Sequence, residues 1–180
     1  MSSAATRTLR GALAGTAAAA VWAAQQPLDR RVFDVPYDDV ELLGRLVVRS
    51  ERWQAAGLGL HLLNGAAFGA AYANLAPSLP VPPVLRGPLA GLVEHLATWP
   101  GTALIDRLHP ARAELPRLWG SRPAFAQSAW RHALFGLVLG ELERRLNPPT
   151  APVLPVDDRT ASTNGHGSGE RVATPGPARL

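Results

Sequence analysis

Two residue types are missing from this chain of 180 residues: cysteine and lysine. Without cysteine, disulfides, thiolate catalysis and cysteine-ligated metals are excluded. Without lysine, a phosphate-binding loop of the Gly-Lys-Ser/Thr type is excluded as well. All 18 basic residues are therefore arginine; they are dispersed along the chain, and the net charge is only +4. This pattern argues against a nucleic-acid partner, and we expect none.

Motifs for hydrolysis and for dense metal binding are also absent. The sequence has no Gly-x-Ser-x-Gly elbow and no serine placed beside a histidine and an acid. A His-Glu-xxx-His ligand motif is missing too. The sequence therefore predicts a protein that is not an enzyme, with no catalytic, cofactor-binding or metal-binding residues and no cofactor.

What the chain does contain is a repeated spaced signature, His-xxx-Gly-xxx-Gly, which begins at His61 and again at His132. Residues four apart share one face of a helix, and glycine there lets a second helix approach closely. Related Gly-xxx-Gly pairs occur in two further apolar stretches. The glycines that we predict to pack helices are Gly11, Gly15, Gly65, Gly69, Gly87, Gly91, Gly136 and Gly140.

Four apolar stretches predict an all-α protein in the form of a four-helix transmembrane bundle. The strongest support is the run from Trp53 to Leu85, because its 33 residues contain no Asp, Glu, Lys or Arg. The other stretches are weaker, and the mean hydropathy of the whole chain is only +0.02. The expected spans are residues 8–26, 55–75, 84–105 and 124–142.

Two further expectations concern the topology of these spans. A basic start and a short apolar core also fit an export signal, but we expect the first helix to be retained because the chain after it is itself apolar. The arginines are concentrated in the two long connectors, which favours an orientation with both termini outside.

The connector at residues 27–52 carries a helix signal of its own. Asp38 and Glu41 fit a capping box, and Val40, Leu43 and Val47 then make one apolar stripe at helical spacing. The stripe predicts a short amphipathic helix. Such a helix fits the membrane surface, and a helix packed on its own protein fits equally well.

The domain organisation follows from these segments. We predict one four-helix membrane domain over residues 1–146 and a disordered tail, rich in Pro, Gly, Ser and Thr, over residues 147–180. The two copies of the signature are 71 residues apart and each lies near the start of the second helix of a hairpin. Duplication of one helical hairpin, with both copies in the same orientation, is therefore an alternative to independent origins.

Several short segments carry a resemblance to a known group. They are residues 11–15 (Gly-Ala-Leu-Ala-Gly), 36–37 with 41–44, 61–72, 86–91 and 132–140. On these segments, which extend over about residues 8–146, the chain resembles small uncharacterised multi-pass membrane proteins of high-GC bacteria. The resemblance implies membrane location and helical topology, and it implies no chemistry.

Ionisable residues inside the expected spans are His61, Glu94, His95, Arg131 and His132. A charge buried in hydrocarbon is costly, so one hypothesis joins them in a polar cluster, with His61 facing His132 and Glu94 paired with Arg131. Such a cluster could relay protons or hold a metal or haem. A structural role is favoured instead, with each histidine near a wet helix end and Arg131 extending to the same surface.

The sequence thus predicts a multi-pass protein of the cell membrane with a structural or accessory role and no assigned molecular activity. The expected partners are the lipid bilayer and, through the glycine faces, a second copy or another membrane protein. Two alternatives remain open: a small transporter or proton-handling protein that uses the intramembrane His and Glu residues, and a soluble or peripheral helical bundle.

Overall fold

Four long helices and two short ones make up residues 3–148, the part of the chain that this computed structural model describes. No strand occurs in that range, so the prediction of an all-α protein is confirmed for it. The predicted disordered tail lies outside the described residues, apart from its first two. The helices are α1 (Ala4–Phe33), α2 (Asp39–Val47), α3 (Trp53–Leu75), α4 (Pro83–Thr98), α5 (Thr102–Leu108) and α6 (Arg122–Leu146).

Side-chain caps explain where three of these helices begin. The carboxylate of Asp38 accepts a hydrogen bond from the backbone N–H of Glu41 at 3.0 Å, as the capping signal predicts. The hydroxyls of Ser3 and Ser121 cap α1 and α6 in the same way. Between α4 and α5, the residues Trp99–Gly101 form a single 3₁₀ turn, which keeps the two helices nearly continuous.

Glycines set the contacts between the long helices. α1 packs between α3 and α6, and α6 packs between α1 and α4. A Cβ atom placed on Gly15 of α1 would overlap the carbonyl oxygen of Gly65 in α3. A Cβ on Gly87 of α4 would likewise overlap the carbonyl oxygen of Gly136 in α6. All eight glycines predicted to pack helices lie at these two interfaces, where backbone meets backbone.

The two interfaces share one register. Gly15 meets the carbonyl of Gly65 and the Cα of Gly69, and Gly87 meets the carbonyl of Gly136 and the Cα of Gly140. The first hairpin consists of α1 and α3, and the second consists of α4 and α6. Equivalent residues are therefore 72 positions apart between α1 and α4, and 71 positions apart between α3 and α6. Gly15 therefore corresponds to Gly87, and Ala19 corresponds to Gly91. If the two Gly-xxx-Gly pairs were equivalent, Gly11 would correspond to Gly87 instead. The observed correspondence is thus shifted by one helical turn along α1.

The short helix α2 packs against α3. Gly44 of α2 lies on the backbone of Trp53, and Gly57 of α3 lies on the carbonyl of Val40. Arg45 of α2 is paired with Glu41 at 2.7 Å, and its guanidinium lies over the Trp53 ring of α3, 5.1 Å from the ring centroid. The connector was predicted to form a short helix, either on the membrane surface or packed on its own protein. In the structure, α2 packs on its own protein.

The ends of α1 and α6 are tied together at one end of the bundle. Arg10 donates a hydrogen bond from Nη1 to the carbonyl of Leu146 at 2.9 Å. Asn147 donates from Nδ2 to the carbonyl of Arg7 at 3.3 Å. The first turns of α1 therefore lie beside the last turn of α6, and the two helices run antiparallel.

The bundle has small and polar residues inside and large apolar residues outside. Its core contains Ala14, Ala18 and Trp22 from α1, together with Phe135 and Leu139 from α6. Among the described residues, 11 polar or charged side chains are buried beside 14 apolar ones. Large apolar side chains on the outer helix faces include Leu9, Leu13, Leu58, Leu63, Val84, Leu89, Val93 and Leu137.

The four predicted transmembrane spans need correction. No helix within residues 3–148 combines the length and the apolar character that a membrane crossing requires. Polar or charged residues interrupt three of the helices: Gln26 and Asp29 in α1, Glu94 in α4 and Arg131 in α6. α4 is also short, with 16 residues. The α3 helix has no charged residue, but its glycines, histidine and asparagines lower its mean hydropathy.

Boundaries also differ from the predicted ones. α1 continues through Pro27 and ends at Phe33, seven residues beyond the expected end of the first span. α4 ends at Thr98, seven residues before the end of the predicted third span, where the 3₁₀ turn begins. The extension of α1 matters most, because it adds the helical turns that carry Asp29.

Candidate functional site

A fully buried arginine lies at the centre of the described bundle. Arg131 of α6 has no exposed side-chain surface, and its guanidinium meets the Asp29 carboxylate through Nε and Nη2, both at 2.6 Å. Nη1 donates to Asp39 at 2.7 Å, and Nη2 also donates to the carbonyl of Tyr37 at 2.9 Å. Burial alone lowers the pKa of Arg131, but the hydrogen bonds and charges of the two aspartates outweigh it and raise that pKa.

The aspartates have partners besides the arginine. Gln127 donates to Asp29 at 2.8 Å, and the indole N–H of Trp22 donates to Asp39 at 2.9 Å. The Tyr37 hydroxyl also donates to Asp39; burial first, and then the charge of Asp39, raises the pKa of this hydroxyl well above its ordinary value. Desolvated charges are tolerated when hydrogen bonds satisfy them in this way.

This network corrects two predictions about Arg131. The ion pair between Glu94 and Arg131, which one hypothesis contained, is not formed, because Arg131 is paired with Asp29 and Asp39. The side chain also does not extend to the surface, since it is entirely buried. Long side chains reach water when nothing neutralises them inside. Here two carboxylates do so.

Glu94 instead contacts a histidine. Its Oε2 lies 2.7 Å from Nε2 of His132, and Nδ1 of His132 lies 2.7 Å from the carbonyl oxygen of Ser128. A carbonyl oxygen only accepts hydrogen bonds, so Nδ1 carries a hydrogen. The contact with Glu94 therefore needs a second proton between Nε2 and the carboxyl group. Burial opposes the charged ring, but Glu94 outweighs it and raises the pKa of His132.

His95 lies next to this pair. Its Nδ1 is 3.2 Å from the hydroxyl of Ser128, and its ring centroid is 5.0 Å from that of His132. Its Nε2 is buried and has no hydrogen-bond partner among the described residues. Burial first, and then the neighbouring His132, lowers the pKa of His95, so this ring is held neutral.

His61 lies on the other side of Trp22. Its Nε2 is 3.1 Å from the carbonyl oxygen of Ala19, to which it donates. The Trp22 ring stands edge-on to both His61 and His132, with centroid distances of 5.3 and 4.7 Å, so it separates the two histidines. Burial lowers the pKa of His61. Both histidines are buried, which corrects the prediction that each lies near a wet helix end.

Two acids near the ends of α5 and α6 are engaged with the fold. Glu143 is buried, and burial raises its pKa. Asp106 accepts hydrogen bonds from the backbone N–H groups of Leu118 and Trp119 at 3.0 and 2.9 Å, and so holds the loop before α6.

A cavity of about 190 Å³ joins most of the predicted polar residues. It lies between α1, α3, α4 and α6, with α2 and α5 covering one end. His61, Glu94 and His132 all line it, whereas His95 and Arg131 lie behind its wall. Within residues 3–148, no group of three or more His, Asp or Glu side chains is arranged to hold a metal ion.

Comparison with known proteins adds no name to this site. No protein-family model, no curated protein and no solved structure matches the chain. The chemistry of the site therefore has to be argued from its own geometry.

Sequence reasoning missed the acidic half of the network. Asp29, Asp39 and Gln127 are not among the candidate residues that the sequence suggests. The two aspartates lie in residues 27–52, which we predicted to be a connector outside the spans. One signal could have found Asp29. Trp22, Gln26 and Asp29 are four and three residues apart, so they share one face of any helix that continues through Pro27.

Proposed function

We propose that the protein is a membrane-associated helical bundle with a structural or accessory role, whose apolar outer faces contact lipid. The observation that carries this proposal is a buried charged network inside the bundle together with large apolar side chains on its outer helix faces. In a water-soluble helix the apolar stripe faces the core and the charged residues face water. In this bundle Arg131 is fully buried, while Leu63 and Val93 are 66% and 65% exposed.

Large apolar side chains are exposed on the outer faces of several helices. The groove between α3 and α4 alone is lined almost entirely by apolar groups, among them Leu75, Leu89 and Val93. Covering such a surface with acyl chains removes the cost of exposing it to water.

The buried network is compatible with the same environment. Ionisable side chains in membrane proteins face the bundle interior and pair with one another. Arg131 and its two aspartates meet this requirement. Membrane association in this proposal means contact of the outer helix faces with lipid, and no helix within residues 3–148 is assigned a membrane crossing.

The common register of the two glycine interfaces supports one further element of the proposal. We infer that the hairpins α1/α3 and α4/α6 are copies of one ancestral unit in parallel orientation. Independent hairpins would have no reason to keep offsets of 72 and 71 residues at these matching contacts of Gly15 with Gly65 and Gly69, and of Gly87 with Gly136 and Gly140.

Membrane fractionation of the full chain tests the role in lipid contact. We expect the protein to sediment with membranes. An alkaline carbonate wash then distinguishes surface association, which it releases, from insertion, which it does not. Recovery of the full chain in the soluble fraction before that wash, as a monodisperse monomer or dimer, would overturn the proposal. The chain has no cysteine, so single cysteines at Leu63 or Val93 then report depth: a water-soluble maleimide labels them readily in surface association and poorly after insertion.

A matched pair of variants on α3 separates lipid contact from folding. Leu63→Glu adds a charge to the outer face and should lower the membrane-bound fraction severalfold. Gln54→Glu adds the same charge at an exposed polar position near the start of the helix and should leave that fraction unchanged. Equal partition of the two variants would contradict lipid contact at Leu63.

A further inference from the structure

The free polar atoms of the cavity are mostly hydrogen-bond acceptors. His61 donates a hydrogen bond from Nε2 to the carbonyl of Ala19, and its Nδ1 has no partner among the described residues. Glu94 uses Oε2 for His132, and its Oε1 has no partner there either. The hydroxyls of Thr98 and Thr102, which also line the cavity, donate to backbone carbonyls.

Donors near the cavity are occupied in the same way. The Trp22 indole N–H and the Tyr37 hydroxyl both donate to Asp39. A ligand with an anionic group would therefore meet a carboxylate and lone pairs, with only the amide of Asn64 to donate to it. A ligand that carries N–H groups would find acceptors instead.

The remaining walls are aromatic. Trp22, Phe68, Trp99 and Phe135 all line the cavity. Aromatic faces attract cations, and their hydrophobic area suits a ring or an alkyl group. A cavity of about 150 Å³ accommodates benzene, so 190 Å³ is enough for a single ring with a short polar group.

The cavity also adjoins the apolar groove between α3 and α4. That groove has a volume of about 460 Å³, and Phe68 and Glu94 line both spaces. The Glu94 carboxylate therefore lies where an apolar channel along the outer face meets an aromatic, acceptor-rich interior. Its side chain is 30% exposed, so a ligand can reach it from outside.

We propose that this site binds a lipophilic amine in its ammonium form. The ammonium group donates to Glu94, and the adjoining ring or alkyl chain occupies the aromatic cavity and the α3/α4 groove. Hydrogen-bond complementarity selects this class. Oε1 of Glu94 and Nδ1 of His61 can accept the N–H groups of an ammonium, whose charge the aromatic neighbours also attract. An acid of the same shape finds few free donors, because the proton of His132 is already held by Oε2 of Glu94.

Three probes of one size test the proposal on the purified full chain: benzylamine, benzyl alcohol and benzoate, titrated by isothermal calorimetry at pH 7. We expect benzylamine to bind at least tenfold more tightly than the other two. Octylamine, whose chain extends along the groove, should bind more tightly still. Equal binding of the three ring compounds, tighter binding of benzoate, or no binding of benzylamine at millimolar concentration would overturn the proposal.

Two variants locate the site. Glu94→Gln keeps the shape and removes the charge, and should weaken benzylamine at least tenfold; Glu141→Gln, an exposed acid on α6, should leave it unchanged. Ala97→Trp fills the groove and should remove only the advantage of octylamine. Equal effects of Glu94→Gln and Glu141→Gln would place the binding elsewhere. The probe series on the parent chain decides the proposal even if Glu94→Gln does not fold.

Discussion

The two hairpins of the bundle share a backbone arrangement and differ in chemistry. Where the first hairpin has Trp22, the second has Glu94, and where the first has Leu60, the second has Arg131, by the offsets of their glycine contacts. The equivalent histidines, His61 and His132, have opposite pKa shifts. Glycine contacts therefore determine the geometry of a hairpin, and the residues between them are free to acquire separate roles.

The comparison also shows how the hairpins are joined. Arg131 of the second hairpin reaches Asp29 of the first, 102 residues earlier in the chain, and Gln127 reaches the same carboxylate. Their equivalents in the first hairpin, Leu60 and Ala56, have apolar side chains that cannot donate a hydrogen bond to a carboxylate. The polar network thus holds α1 against α6, whereas the glycines hold the helices within each hairpin.

The largest effect is expected from making the second hairpin resemble the first at this position. Arg131→Leu leaves Asp29 buried without its cation, which should lower the free energy of unfolding by about 3–5 kcal/mol. Adding Asp29→Asn should recover part of the loss. Leu60→Met is the matched control and should cost less than about 1.5 kcal/mol. Urea titration followed by circular dichroism measures the free energy of unfolding of all three variants. A loss below about 1 kcal/mol for Arg131→Leu would show that the network does not stabilise the bundle.

The glycine interfaces should respond alike in both hairpins. Gly15→Ala and Gly87→Ala each force a methyl group into a facing carbonyl, and each should cost about 1–3 kcal/mol. Gly59, on the open side of α3, has no neighbour within 4 Å, so Gly59→Ala should stabilise by about 0.5–1 kcal/mol. The same titration compares them. A large cost in one hairpin alone would break the equivalence.

The equivalent histidines should depend on pH with opposite sign. The pKa of His132 is raised, so its contribution to stability is present below about 6.5 and is lost as pH rises through the raised value. The pKa of His61 is lowered, so its contribution is present above about 6.5 and is lost as pH falls through the lowered value. Imidazole NMR titrations should place the two pKa values on either side of 6.5. Glu94→Gln should bring only that of His132 down, and a common midpoint would refute the assignment.

Local signals in the sequence predicted local structure well. The Asp38 capping box, with partners three residues apart, marks the start of α2. Pro27 misled the placement of the α1 boundary, because proline inside a helix removes one hydrogen bond but does not always end it. Contacts made further along the helix hold the remaining turns in place.

Partners distant in the chain could not be predicted. Nothing near Arg131 in the sequence indicates that its carboxylates come from Asp29 and Asp39, about one hundred residues away. Glu94 and His132 were both candidates, but only the fold shows that they pair with each other. Composition pointed to four apolar stretches, and it could not show that their polar residues all face one interior.

The tie between the ends of α1 and α6 has a mechanical consequence. Arg10 and Leu146 are hydrogen-bonded at the same end of an antiparallel helix pair, so a force pulling residues 4 and 148 apart would act on that end first. The pair would then open like a zipper, one contact at a time, instead of resisting as a whole in shear. The Arg131–Asp29 contact, further along the same interface, would be the point at which such opening meets its main resistance.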